Sequence, residues 1–516
     1  MERTIKAFFR DPRTSWTLIA SWITGFAAYG YGMLNNLVNY DTIYNIPLIT
    51  GGEERSGRWT LSLLAGLTEA LHLGYSLPFF NILFSLLLLS LSAVLLCKLL
   101  GFRSRRACVL TGVVLMAFPA VASMTFFSYT MPYYALAFVL IIAAALLTER
   151  KGTLISYLVY SLLLAFAIGI YQAFYPFAAM LAVMAVLREC LDPASKPQTV
   201  LKKMLLYIAA ILLSYFWYRL GLKLMLALTG TKLTSYQGID QMGILQIGAI
   251  PAMLKQMYRH FFLLFTHDYL SLSGEPITRL CLLLLLLVSV LMLAFGWRDK
   301  NPWKRLELCA LLLIALPIAS NLIILMVPYG TVYTLMGMGL LSVFLLPILL
   351  WEKLRFSGEK LRRSFGMALA AVLLLSSLEY VYLSNGCSRV LEWHNIQTEN
   401  YYSTLLTRVK AAEGYEESYP VLTVGSVIRD ESYHDLWYDT IFDYGGLRQF
   451  DSQDPDNNGF NEYSRERFVQ SYFGYTIRPI SSKEKQDYAS ELSEMQSYPS
   501  DGSIRVVDGK VLVKFE

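Results

Sequence analysis

Residues 16–38, WTLIASWITGFAAYGYGMLNNLV, run without a single charged side chain and end directly on Asn39-Tyr40-Asp41. A run of this length, wound as a helix, crosses a hydrocarbon core of about 30 Å. It follows a basic segment holding Arg3, Lys6, Arg10 and Arg13, as the core of a secretory signal does, but it is too long and lacks a cleavage site, so it reads as a retained anchor. Acid and base then break into the apolar chain just where the first helix leaves the membrane: Asp41, and beyond it Glu53-Glu54-Arg55-Ser56-Gly57-Arg58-Trp59.

Similar apolar runs recur as far as Leu383. Of 516 residues, 55% are hydrophobic and only 16% charged, which excludes an ordinary soluble domain. The sequence predicts an α-helical polytopic membrane protein with about eleven spans, at 16–38, 77–97, 107–127, 132–148, 153–170, 172–187, 204–228, 277–296, 306–327, 337–351 and 364–384. Lys and Arg gather in alternate loops, such as Arg103/Arg105/Arg106 and Lys360/Arg362/Arg363, which places the N-terminus in the cytoplasm and the tail outside. Those anchors account for the net charge of +5, and nothing points to a nucleic-acid partner. The six cysteines are scattered, with Cys387 alone expected at the exterior, so neither a disulfide framework nor a metal cluster follows.

The expected organisation is a transmembrane domain over 1–384, with outer loops 39–76 and 229–276, and a small extracytoplasmic α/β domain over 385–516. The first loop ends in Trp59–His72 and the second holds Met253–Tyr269, both amphipathic stretches suited to the headgroup plane. The tail is expected to open with a helix near 399–412, to continue with a buried strand at 421–428 and to close on a hairpin turning at Asp508-Gly509. Its middle is rich in Tyr and Trp. Asp454-Pro-Asp456-Asn-Asn458-Gly459 has the opening spacing of a calcium loop, but Arg465 stands where the bidentate Glu belongs, so it reads as a solvated turn.

A carboxylate at the outer mouth of a helix bundle can act as a general base on a substrate hydroxyl, and Asp41 qualifies by position. The plainer alternative is a helix cap or a solvated loop residue. Asn39-Tyr40-Asp41 ahead of Gly57-Arg58-Trp59, the Tyr171-Gln172 pair at an outer turn, and a polar tail with Pro420-Val-Leu-Thr-Val-Gly425 resemble the serotype-converting O-antigen glucosyltransferases, which belong to the GT-C class of membrane glycosyltransferases. That resemblance implies a sugar donor carried on a polyprenyl phosphate, made by a donor synthase and delivered by a donor flippase, and used at the outer face of a bacterial cytoplasmic membrane to glycosylate a glycan acceptor. It also implies that Asp41 is the base. Thr42 follows it where many such loops carry a second acid, so a second carboxylate would have to come from Glu53, Glu54 or elsewhere, and a divalent cation is left open; no other cofactor is expected.

A departing lipid phosphate calls for cations. Arg58 beside Trp59 is one candidate, against snorkelling to headgroups. Arg219 and Lys223, four residues apart on one face of the seventh span, are another, because charges at such depth face a cavity or a partner. Arg259 and His260 are a third. Sugar or acceptor contacts are assigned to Trp59, Glu53, Glu54, Tyr171, Gln172, His267, Asp268, Trp437 and Tyr472, against helix-turn packing for Tyr171-Gln172 and an ordinary polar pair at the surface for His267-Asp268. The rival functions are a transporter or flippase for a lipid-linked sugar, expected to show related halves and broken helices, and an O-antigen ligase or polymerase, which would release a diphosphate.

Overall fold

Among the described residues the apolar runs are mostly helical in the computed structural model, which describes residues 11–45, 53–73, 77–235, 247–296, 302–326, 332–425 and 458–515. Helix α1 (Pro12–Leu34) starts at Asp11, whose side chain accepts from the Arg13 backbone N–H. The short α2 (Tyr40–Tyr44), a 3₁₀ turn at Glu53–Ser56, α3 (Trp59–Ala70) and α4 (Pro78–Leu99) follow. Then α5 (Arg105–Ala117) and α6 (Pro119–Thr125) meet at an angle of 47°. Pro119 causes the bend: it lacks an N–H and forces Phe118 into an extended conformation, φ −63° and ψ 131°.

The bundle continues with α7 (Met131–Lys151), α8 (Leu154–Ile170), α9 (Tyr175–Cys190), α10 (Pro197–Thr229), α11 (Ile250–Leu263), α12 (Pro276–Gly296), α13 (Pro302–Ser320) and α14 (Ile323–Met326). A 3₁₀ stretch, Thr334–Leu341, leads into α15 (Ser342–Lys353), and α16 (Glu359–Lys410) closes the helical part. Among the described residues, seven helices are long and apolar enough to cross a membrane, or eight if the bent pair is one span, and α8 is a shorter apolar helix. This is a helical membrane protein. Phe118, Phe138, Phe174, Phe177 and Phe344 fill its core, whereas α10 is peripheral and leaves Leu205, Leu212, Phe216 and Leu224 exposed on an apolar outer face.

In the tail the structure departs from the expected boundary. No break occurs at 385; α16 runs unbroken for 52 residues, roughly 78 Å at 1.5 Å per residue. The chain offers no proline there, and Val390, Leu391, Tyr402, Leu405, Leu406 and Val409 continue a buried stripe at helical spacing well past the last apolar run. Cys387 lies within this helix and, like the other five cysteines, is buried and free. Beyond it come β1 (Val421–Val424), α17 (Asn458–Phe473), β2 (Ile477–Pro479), α18 (Ser482–Asp487), α19 (Ala489–Glu494), β3 (Ile504–Val507) and β4 (Lys510–Lys514). The sheet order is β2-β1-β4-β3, with β1 parallel to both neighbours and β3 and β4 forming an antiparallel hairpin. Asp508 and Gly509 turn that hairpin at φ 49° and 70°, as a two-residue loop requires. The expected strand at 421–428 is seen to Val424; its end, Trp437 and the calcium-like stretch 454–457 lie outside the described residues.

The tail is not a free appendage. Helix α2 packs against α17, and Val38 and Ile43 share one buried cluster with Tyr402, Leu405, Val409, Phe468 and Val469.

Candidate active site

Asp41 is the second residue of α2. Asn39 caps that helix, its Oδ1 accepting from the Thr42 N–H at 2.8 Å. The Thr42 hydroxyl donates to the Phe126 carbonyl at 3.0 Å, which fastens α2 to the end of the bent helix. So the cap belongs to Asn39, and the Asp41 carboxyl is not spent on it. Enclosure by protein pushes Asp41 up from an ordinary 3.8 to about 7, with the Arg58 charge pulling in the opposite direction.

Arg58 stands at the N-terminus of α3 with its guanidinium 4.7 Å over the Tyr171 ring. Tyr171 in turn stacks on Tyr134 at 5.0 Å, and Tyr129, Tyr134 and Asp41 all lie within electrostatic reach of the guanidinium. Arg58 Nε, Asn39 Nδ2 and Ser128 Oγ are buried with no hydrogen-bond partner among the described residues, as are Trp59 Nε1 and Thr60 Oγ1 next to Arg58 in the chain. Native interiors satisfy nearly all such groups, so these open ones are donors and acceptors with hydrogen-bonding capacity to spare.

The loop that presents Arg58 is fixed from several sides. Gly57 takes the left-handed φ of 78°. Gln172 donates to the Ser56 carbonyl at 2.9 Å and to the Tyr218 hydroxyl at 3.1 Å, and Tyr218 donates to the Gly57 carbonyl at 3.0 Å. The Thr234 N–H donates to the Arg55 carbonyl at 2.9 Å. Trp59 is buried in a slot between α8 and α10, where a Cβ on Gly169 or Gly221 would come within 2.8 or 2.6 Å of its ring. Gly-Arg-Trp therefore divides its labour: glycine turns, tryptophan wedges, arginine points at the tyrosines.

Several residues assigned to sugar contact are thereby placed in the scaffold. Trp59 is a wedge and Gln172 a staple, while Tyr171 forms the platform under Arg58. Glu54 is 2% exposed and accepts from Ser62 at 3.0 Å and Thr231 at 3.3 Å, which ties it to α3 and to the chain after α10. Glu53 is half-buried in the same turn, within reach of Tyr133. Among the described residues no group of three or more His, Cys, Asp or Glu side chains could hold a metal ion.

Arg219 and Lys223 do come together. They line an open groove of about 460 Å³ with Phe216, Leu220, Leu222, Leu226 and Leu233. Both are exposed at the surface of α10, not buried within the bundle. Tyr218, one residue away, lies within electrostatic reach of both Arg219 and Arg58, so the groove and the mouth are neighbours. Arg259 and His260 lie elsewhere, on α11, which packs on α13 and α14; the His260 Nδ1 meets the Tyr269 hydroxyl at 3.1 Å. His267 and Asp268 occupy the exposed turn before α12, where the His267 ring meets the Thr266 hydroxyl and its carbonyl accepts from Ser273. Tyr472 is 45% exposed on the tail and stacks on Phe468 at 4.3 Å.

The sequence reading missed Asn39, Ser128, Tyr129, Tyr134 and Tyr218. Only Asn39 carried a signal, as a capping residue two positions ahead of the acid; the others converge from separate helices. A family model described as Glucosyl transferase GtrII matches residues 30–386, a stretch that takes in α2, the Arg58 turn and the groove. No curated protein and no solved structure matches the chain.

Proposed function

Because the chain belongs to the GtrII glucosyl transferase family, we propose that it moves a single glucosyl unit from a polyprenyl phosphate to a glycan acceptor at the outer face of a bacterial cytoplasmic membrane. The observation that carries this reading is the enclosed Asp41 carboxyl, tuned to about 7, facing a guanidinium on a tyrosine platform. A base poised near the working pH removes a hydroxyl proton most effectively. Asp41 takes the proton of the acceptor hydroxyl, the acceptor oxygen bonds to the anomeric carbon, and the bond from that carbon to the phosphate oxygen breaks. One displacement inverts the anomeric configuration. The polyprenyl phosphate departs with the electron pair and is stabilised by Arg58 at the mouth and by Arg219 and Lys223 in the groove, whose apolar wall suits the first isoprene units.

This reading requires the mouth to face outward, as the alternating loop charges place it in a topology of about eleven spans with the tail outside. The tail then stands over the acceptor side. The bent α5–α6 pair is a feature a lipid-linked-sugar transporter would also use.

The test is to incubate the purified protein with polyprenyl-phosphate glucose, with and without acceptor glycan. Acceptor-dependent release of polyprenyl monophosphate and a glucoside of inverted configuration are expected. Movement of intact donor across a vesicle without release would establish the transporter, and release of a diphosphate from a diphosphate-linked glycan would establish a ligase or polymerase.

A further inference from the structure

Helix α2 is five residues long, far below the length at which a helix is stable by itself, so its geometry is imposed by its neighbours. On one side the Thr42 hydroxyl ties it to the Phe126 carbonyl. On the other side it packs on α17 of the tail. Val38 ahead of the helix and Ile43 within it are 4% and 1% exposed, and the apolar cluster they join is otherwise made entirely by the tail and the far end of α16: Tyr402, Leu405, Leu406 and Val409, Phe468 and Val469, and strand residues including Val421, Val511 and Val513. Asp41 thus lies between Val38 and Ile43, both held in the tail cluster, and next to Thr42, held by the bundle, on a helix with barely one turn. A shift of either support moves it directly.

Phe468 and Val469 are fully buried in the same cluster as Ile43, and they lie beyond residue 386, where the family match ends. The brace on the acid is therefore contributed by a part of this chain that the family model does not cover.

We propose that α17, through Phe468 and Val469 against Ile43, is a positioning element that sets the Asp41 carboxyl for attack. It makes the tail part of the catalytic apparatus instead of an acceptor-reading attachment. The proposal rests on Asp41 being the base. Phe468 and Val469 touch neither substrate; they act through α2. Misplacing a reacting group by about 1 Å costs on the order of 100-fold in rate, and that loss falls on kcat while a donor bound elsewhere keeps its affinity.

The experiment uses the full chain in nanodiscs with polyprenyl-phosphate glucose and acceptor glycan, and measures kcat, the KM for each substrate and the melting temperature for Phe468→Ala, Phe468→Leu, Val469→Ala and Ile43→Val. We expect Phe468→Ala to lower kcat by about 10- to 100-fold with the donor KM within about twofold, and Phe468→Leu, which keeps most of the volume, to recover most of the loss. If Phe468→Ala does not fold, the graded pair Val469→Ala and Ile43→Val carries the test, with kcat falling severalfold in each. Unchanged kcat in the folded variants overturns the proposal, as does a loss confined to the acceptor KM. Asp41→Asn, run in parallel, separates the two ideas: full activity in that variant removes the base itself, whereas an inactive Asp41→Asn beside a normal Phe468→Ala removes only the brace.

Discussion

Helix α7 carries charge chemistry at both ends, and the two ends are built in opposite ways. At its C-terminal end Glu149 is 5% exposed and saturated: Lys203 at 2.7 Å, Arg188, and the Tyr207 hydroxyl at 2.9 Å all donate to it. About 22 Å away along the helix, Tyr134 belongs to the Arg58 and Asp41 mouth. There Arg58 Nε, Asn39 Nδ2 and Ser128 Oγ lack partners among the described residues, and Arg58 faces aromatic rings. Burying charge is costly at both ends. At Glu149 it is offset within the protein, and the result is a clamp joining α7, α9 and α10. At Asp41 the nearby Arg58 charge offsets part of it, and the unpartnered polar atoms around it keep hydrogen-bonding capacity to spare.

The largest test of that contrast is Asp41→Asn. It is expected to lower transfer by about two to four orders of magnitude with little change in melting temperature, because it removes a base without removing a structural partner. Near-normal turnover would reduce Asp41 to a loop residue. The mirror experiment is Glu149→Gln, which should cost about 3 kcal/mol of stability by stranding Arg188 and Lys203, yet leave turnover per folded molecule largely intact. If it instead abolished turnover in a stable protein, the two ends would not be separable.

The groove should answer more quietly. Arg219 and Lys223 are exposed, so Arg219→Ala is expected to raise the donor KM by about tenfold, roughly 1.4 kcal/mol, with the acceptor KM unchanged. A normal donor KM together with a normal melting temperature would take the phosphate role away from this helix face. The pH profile sharpens the mouth itself. Asp41 works deprotonated and its pKa is raised, so kcat/KM should climb as pH rises and level off above about 7. Stability runs the other way. Burial favours the neutral acid, so this group's contribution is complete below the ordinary 3.8 and is lost as pH rises through about 7. An acid limb near pH 4 would show a solvated carboxylate. The smallest effect is expected from Tyr472→Ala, where losing the ring stacked on Phe468 should change acceptor KM or kcat by a few-fold, about 1 kcal/mol at most. A rise in donor KM would place the tail over the lipid-linked sugar.

What the sequence determined by itself was local. Hydropathy alone marks the long apolar helices, because a membrane helix satisfies its own backbone and needs nothing from its neighbours to exist. Asp508-Gly509 specifies its hairpin for the same reason: left-handed backbone is demanded within two residues. Asp41 and Arg58 could be singled out because charge is scarce in such a chain and conspicuous where it falls. The roles of Trp59 and Gln172 could not be read, since one depends on glycines at 169 and 221 and the other on a carbonyl at 56, contacts that no linear pattern encodes. Nor could the length of α16, where the apolar stripe continues through polar sequence only because the tail folds back to cover it. The tertiary structure alone decided that a five-residue helix bearing the acid would be held between Phe126 at the end of α6 and the helix at Phe468, because a segment too short to hold its own shape takes its position from whatever packs against it.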